Sequence, residues 1–319
     1  MSFVFESALV TGGAGFIGSH LTQALAAGGC RVTVLDDLSS GHASNLEAVA
    51  SRIRFIRGSI CDYRLVEEAA AGCEAVFHLA AVVSVPKATA DPLGSAAVNE
   101  TGSLNVLEAA RRAQARRFVF ASSSAVYGDD PALPKREDMA PRPMTPYAVQ
   151  KLAAEYHARV YTDLFGLETV CLRFFNVYGP RQDPSSPYSG VISIFMTKAL
   201  DGENPVIYGD GAQSRDFVFV QDVVQVLLLA AQTPSASGMI FNVGTGRAIS
   251  VNELWENVSR LAGTTAAPAY GPPRPGDIRH SVACIDQARN RLSYAPRLSL
   301  AEGLATTFAW YRQSRGATG

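Results

Sequence analysis

The sequence predicts an α/β protein built on a doubly wound parallel sheet, and three observations carry that prediction. Short, fully apolar strand candidates alternate with helical segments through the first half of the chain. The first strand runs straight into a turn with glycines at 12, 15 and 18 that opens a helix. The second strand ends on Asp36-Asp37, a carboxylate pair beginning 18 residues beyond the last of those glycines.

In chain order, Ala8-Leu9-Val10-Thr11 has no polar alternation, the mark of a strand covered on both faces. A helix follows from Ser19 to Ala27 and stops at Gly28-Gly29. The second strand is Arg31–Leu35. Further strands read at 53–57, 75–79 and 118–121, with helices at 63–71 and 95–113 between them. Asp62 stands where it would cap the helix that starts at Tyr63. The glycines permit a tight turn and let backbone approach a diphosphate at a helix N-terminus. A phosphate-loop NTPase would need Gly-Lys-Ser/Thr here, and the chain has Gly18-Ser19-His20. A carboxylate at the tip of the second strand suits ribose hydroxyls and repels a 2′-phosphate, so Asp36 favours NAD over NADP. Together these features predict a Rossmann-like NAD-binding fold.

His78 closes a strand beside Ala80-Ala81 and reads as a packed histidine, with small residues that suit a cofactor lying on the backbone. The strand at 118–121 leads into Ser122-Ser123-Ser124, at the sheet's carboxyl edge where ligands of open α/β sheets bind. A catalytic hydroxyl is expected there. About 20 residues on, Thr145 and Pro146 provide an N-cap and a first helical residue, which places Tyr147 and Lys151 one turn apart on one face. A phenol with a pKa of about 10 is a poor base at neutral pH, but a nearby ammonium and the helix dipole stabilise the phenolate. Bringing that pKa to about 7 takes roughly 4 kcal/mol, which a dry site with a second positive charge, such as an oxidised nicotinamide, would supply.

Lys plus Arg number 28 against 29 Asp plus Glu, so no strong field points to nucleic acid or to an acidic membrane. The one basic cluster, Arg111, Arg112, Arg116 and Arg117, is expected to be a solvated helix end. Five scattered cysteines without a CxxC pair argue against a disulfide framework or a metal site and point to a reducing, cytoplasmic setting. Glu6 interrupts any signal-peptide pattern, and apolar runs such as Val223–Ala231 are too short to span a bilayer.

The chain resembles the extended short-chain dehydrogenase/reductase family, and within it the UDP-sugar 4-epimerases. The resemblance covers essentially the whole chain. It rests on Thr11-Gly-Gly-Ala-Gly-Phe-Ile-Gly18, His78-Leu-Ala-Ala81, Ser123 four residues before Tyr127-Gly128, Tyr147-x-x-x-Lys151, and Arg173-Phe-Phe-Asn-Val-Tyr-Gly-Pro180. It implies that Tyr147 is the base at the sugar C4 hydroxyl. Lys151 would hold the nicotinamide ribose and lower the Tyr pKa, and Ser123 would bond the same sugar oxygen. Gly12, Gly15, Phe16, Ile17, Gly18, Asp36, Ser59, Ile60, Leu79, Ala80, Ala81, Asn99, Lys151 and Phe174 would line the NAD site. Ser123, Ser124, Tyr147, Asn176, Tyr208, Arg215, Arg274 and Ser281 would meet the UDP-sugar, with Arg215 and Arg274 on the phosphates and Tyr208 on uracil. Ser59 stands where family members often carry Asp, and its hydroxyl is a weaker acceptor for the adenine amino group.

The resemblance also implies a discontinuous, smaller substrate domain. Residues 1–175 plus about 215–244 would form the NAD-binding unit, and about 176–214 plus 245–319 the UDP-sugar unit, with a helix at 190–201 and a strand at 205–208. Dehydratases and uronate decarboxylases of the family need an acid one or two residues after Ser123, and Ser124-Ala125 offers none. Epimerisation is therefore expected, on UDP-GlcNAc/UDP-GalNAc and UDP-glucose/UDP-galactose, because Ser281 is small where a bulky residue would exclude an N-acetyl group. The alternatives are a UDP-glucuronate 4-epimerase, although no Arg near 188–192 would pair with a C6 carboxylate, and a non-catalytic NAD-binding protein. Family members usually form homodimers through the helices near 95–113 and 147–165.

Overall fold

Seven parallel strands form the central sheet: β1 (Ser7–Thr11), β2 (Arg31–Asp36), β3 (Ile53–Arg57), β4 (Ala75–His78), β5 (Arg117–Ser123), β6 (Glu168–Phe174) and β7 (Met239–Val243). Their order across the sheet is β3-β2-β1-β4-β5-β6-β7, as seen in the computed structural model, which describes residues 3–183, 190–273 and 278–316. Each connection is long enough to cross the sheet, so helices cover both faces and β1 and β4 are buried at every residue. Alternate residues serve opposite faces. Val10, Val34, Phe77 and Val119 enter one apolar cluster, while Leu9, Leu35, Val76 and Phe118 enter the other.

After β3 the chain returns to the far side of β1, so the order switches between β1 and β4, and Thr11 lies opposite His78 at their carboxyl ends. Crevices at such switch points are where open α/β sheets bind ligands.

The helix Phe16–Ala27 begins three residues earlier than the sequence suggests, because Gly15 is its N-cap. The expected helix at 95–113 is composite: Pro92–Ala96, a wider π-type turn at Ala97–Gly102, then Ser103–Arg112. The wide turn accompanies the inward-turned Asn99, and mid-helix π-bulges are frequent at functional sites. Asp62 caps the Tyr63–Ala70 helix as expected, accepting from the amides of Arg64 and Leu65. Arg117 corrects the reading of a solvated cationic end. As the first residue of a central strand it is 1 % exposed, and its guanidinium donates to Thr233 O at 3.0 Å and pairs with Glu168 at 2.9 Å. Arg111 and Arg112 do pair at the surface, both with Glu108.

Beyond β6 the chain builds a third apolar cluster from Val191–Asp201, Val251–Ala262, Leu300–Gly316 and short strand pairs. Asn176–Tyr178 runs parallel to Phe217–Phe219, Ser214–Arg215 antiparallel to Ile249–Ser250, and Val206–Tyr208 parallel to Ala269–Gly271. Among the described residues, no helix is long and apolar enough to cross a membrane.

Candidate active site

The glycine turn is closed by backbone alone. Gly12 donates to Leu35 O, and Gly15 donates to Gly12 O. A Cβ on Gly12, whose φ is +69°, would stand 2.7 Å from the Ala80 amide, and one on Gly18 would stand 2.0 Å from Gly12 O. The helix behind the turn has no side-chain cap and no acidic residue in its first turn, so the amides that Phe16 and Ile17 present keep their field for an anion. Asp36 reaches the same place. Its carboxylate accepts from Ala14 N at 2.9 Å and Leu38 N at 2.8 Å, while burial raises its pKa against those bonds. A bare-backbone turn, an open helix N-terminus and a carboxylate on the second strand fit a dinucleotide of the NAD type.

The sides of this crevice come from other strands. Leu79, Ala80 and Ala81 follow β4 half-buried, and the Ala80 amide donates to Thr11 Oγ1 at 3.3 Å. Ser59 uses its hydroxyl to accept from Cys61 N, and Ile60 is buried against Gly102. Asn99 is drawn inward. Its amide accepts from Val82 N at 2.8 Å and donates to Val82 O and Gln150 Oε1, so it shapes the wall instead of presenting a free polar group. Phe174 is buried at the end of β6, opposite Ser123.

His78 is fully buried, with Nδ1 at 2.7 Å from Thr11 Oγ1 and Nε2 at 2.8 Å from Ser103 Oγ. Burial first, then the Lys151 charge, pull its pKa down to about 3, so it is a neutral strut as the sequence suggested.

The helix Pro146–Phe165 carries Tyr147 and Lys151, both buried, and Thr145 caps it by accepting from Ala148 N. The Ser123 hydroxyl faces the Tyr147 phenol and acts to lower its pKa, but burial acts more strongly and raises it overall. Lys151 Nζ donates to Ala121 O at 2.8 Å and sits 4.8 Å from the Phe120 ring centroid and 5.9 Å from that of Tyr147. Burial brings its own pKa down to about 8 against the opposing Glu155 charge. The expected lowering of the Tyr147 pKa is therefore absent from the protein alone. Desolvation of the anion outweighs what the Ser123 hydroxyl offers, and a positive charge acting on the phenol is needed. Ser124, half-buried, begins the short turn that follows β5.

The remaining described candidates lie in the segments beyond β6. Tyr208 lines a cavity of about 450 Å³ with Asp210, Gln213, Tyr270 and Arg279. Tyr270 escaped the sequence reading, because only the pairing of Ala269–Gly271 with Val206–Tyr208 brings it there. Arg279 closes one side through a bidentate pair with Asp210 at 2.8 and 2.7 Å. Arg215 Nη1 and the Ser281 amide both donate to Ser214 O, at 2.9 and 3.1 Å, so these two candidates meet at one carbonyl. Ser281 is buried. Asn176 is exposed, and its amide donates to Asp216 O. Arg274 lies outside the described residues.

Residues 8–244 match the NAD dependent epimerase/dehydratase family. The UDP-glucose 4-epimerase of Mycolicibacterium smegmatis is 42 % identical over 308 residues, covering 95 % of this chain and 98 % of that protein. A dTDP-glucose 4,6-dehydratase of Streptomyces niveus is 36 % identical over 321 residues, covering 96 % and 93 %. Among solved structures, the UDP-N-acetylglucosamine 4-epimerase of Methanobrevibacter ruminantium superposes with a TM-score of 0.94 at 38 % identity, over 98 % of this chain and all of the other.

Proposed function

Because the chain belongs to the NAD dependent epimerase/dehydratase family, we propose that it is a UDP-hexose 4-epimerase acting on UDP-GlcNAc/UDP-GalNAc and UDP-glucose/UDP-galactose. The observation that supports this most is the Ser123 hydroxyl facing the buried Tyr147 phenol, with Lys151 Nζ 5.9 Å from the centre of that ring and Ser124 and Ala125 following. Elimination in a 4,6-dehydratase calls for a carboxylate at one of those two positions, and inversion at C4 calls for none.

NAD is held by the glycine turn, the open helix N-terminus and Asp36, and when bound it supplies the hydride acceptor and donor at C4 together with positive charge near the phenol. Tyr147 Oη takes the C4 hydroxyl proton and later returns it, while Ser123 Oγ holds the same sugar oxygen in line. Lys151 supplies fixed positive charge beside the phenol in a site closed to water. To invert one carbon, the protein must grip the UDP and leave the hexose free to present either face to one phenolic oxygen. Arg215 and Arg274 for the diphosphate, Tyr208 for uracil and Asn176 for the sugar edge give such a grip. The unit around the third apolar cluster, 176–214 plus 245–319, is then the substrate-holding one.

Incubation with each UDP-sugar pair and chromatographic separation of the epimers tests this. Unchanged UDP-GlcNAc beside rapid conversion of UDP-glucose refutes the substrate range. Ser281→Tyr is expected to lower N-acetyl activity at least about 50-fold, while UDP-glucose turnover stays within about threefold, since a bulky residue removes room that only the acetamido group needs. Equal loss on both sugars refutes that role for Ser281.

A homodimer accompanies this reading. Val149, Tyr156, Val160 and Leu164 form an exposed apolar stripe along the Pro146–Phe165 helix, and Leu93 is exposed on the Pro92–Ala96 segment. Light scattering is expected to give twice the monomer mass, and a monomer at micromolar concentration refutes it. Five free thiols agree with a cytoplasmic setting.

A further inference from the structure

Glu155 lies one helical turn beyond Lys151 on the same helix and is 3 % exposed. Its carboxylate accepts two bonds from the Arg173 guanidinium on β6, at 2.9 and 2.7 Å, and one from the Ser122 hydroxyl on β5, at 2.5 Å. Lys151 meanwhile donates to Ala121 O. Two side chains of the catalytic helix therefore grip consecutive residues of β5, immediately before Ser123, and Arg173 fastens the same carboxylate to the next strand. Glu155, Arg173 and Ser122 are not among the residues expected to meet cofactor or sugar.

The charges explain why a carboxylate stands there. Two cations, Lys151 and Arg173, share this buried region with Glu155. A guanidinium does not give up its proton in a protein, whereas a buried ammonium does. Take away the carboxylate, and the readiest relief for two unpaired buried cations is for Lys151 to become a neutral amine. The other groups facing this point offer no replacement at Lys151, since the Glu137 carboxyl and the Tyr127 phenol act on Arg173 instead. His78 on β4 is neutral, Cys171 on β6 is kept a neutral thiol by burial, and Tyr147 on the same helix is a phenol whose pKa burial raises.

We propose that Glu155 is a positioning residue for the reaction set out above, tying the catalytic helix to β5 and β6 and keeping Lys151 in its ammonium form beside Tyr147. It rests on that reaction only for the effect on turnover; the charge state of Lys151 can be read without it.

Glu155→Gln keeps the size and the hydrogen-bonding atoms and removes the charge. In the NAD-loaded protein, turnover of UDP-glucose between pH 6 and 9.5 is measured alongside a lysine-selective NMR titration. The chain has four lysines, and Lys151→Met identifies the relevant signal. The ammonium is present below its titration point and lost as pH rises through it, so the variant should lose activity at lower pH than the parent. The expected result is a Lys151 midpoint and an alkaline limb both displaced downward by a pH unit or more, with turnover about tenfold below the parent at pH 8.5 and within about threefold at pH 6.5. An equal loss at every pH with an unmoved Lys151 midpoint overturns the proposal, since packing alone would do that. Should the single variant not fold, Arg173→Met leaves the Glu155 carboxylate with Lys151 as the neighbouring cation. That variant is expected to displace the Lys151 midpoint upward, and an unmoved or lowered midpoint overturns the idea. A parent that epimerises no UDP-sugar sinks the proposed function, while the Lys151 titration still decides the role of Glu155.

Discussion

Tyr147→Phe is expected to lower epimerase turnover about a thousandfold, ~4 kcal/mol of transition-state stabilisation, with little change in fold or in UDP affinity. The phenol is buried and the substitution removes a single oxygen, so the packing of the Pro146–Phe165 helix survives. What disappears is the phenolic oxygen that faces the Ser123 hydroxyl. Ser123→Ala should cost less, about 10- to 100-fold, because the phenol remains and only its alignment suffers. Steady-state rates with calorimetric UDP binding separate the two effects. A Tyr147→Phe enzyme retaining a tenth of parental turnover would remove the phenol from the chemistry.

Gly18→Ala is expected to abolish tight cofactor binding, raising the NAD dissociation constant at least about 100-fold. The new methyl would lie 2.0 Å from Gly12 O, a backbone atom, so no side-chain rotation relieves the clash and the turn itself must move. Moving it displaces the Gly12 amide from Leu35 O and the Ala14 amide from Asp36, which frame the diphosphate and ribose positions proposed above. Overpacking of this kind costs about 1–3 kcal/mol of stability, readable as a lower urea midpoint of the cofactor-free protein. Parental NAD affinity in a folded Gly18→Ala variant would show that the turn does not hold the dinucleotide.

Much of the sheet was legible from one signal. Strands covered on both faces read as unbroken apolar runs, and β1 to β5 fell within two residues of where those runs lie. The Tyr147–Lys151 face was legible because helix geometry relates residues four apart without tertiary help. The Arg117 reading failed because a cationic run in sequence does not say which of its members opens a central strand. Only the folded chain brings Val82 and Gln150 to the Asn99 amide. Tyr270 and the Asp210–Arg279 pair were invisible for the same reason, since each joins segments about 60 residues or more apart in sequence.

By itself, the sequence determined the alternation of strand and helix, the bare glycine turn, the acid after β2 and the spacing of Tyr147 and Lys151. These depend on local periodicity and on the conformations that single residue types allow. Tertiary structure alone decided which hydroxyl meets the phenol and which serves Glu155. Ser122 and Ser123 are indistinguishable as letters, but successive residues of a strand face opposite ways, and β5 turns the one toward Glu155 and Arg173 and the other toward Tyr147. The charge state of the site is settled in the same place, because desolvation and field depend on what surrounds a group in space. Burial raises the Tyr147 pKa and lowers that of Lys151, and the carboxylate opposing that second shift comes from a residue the sequence reading passed over.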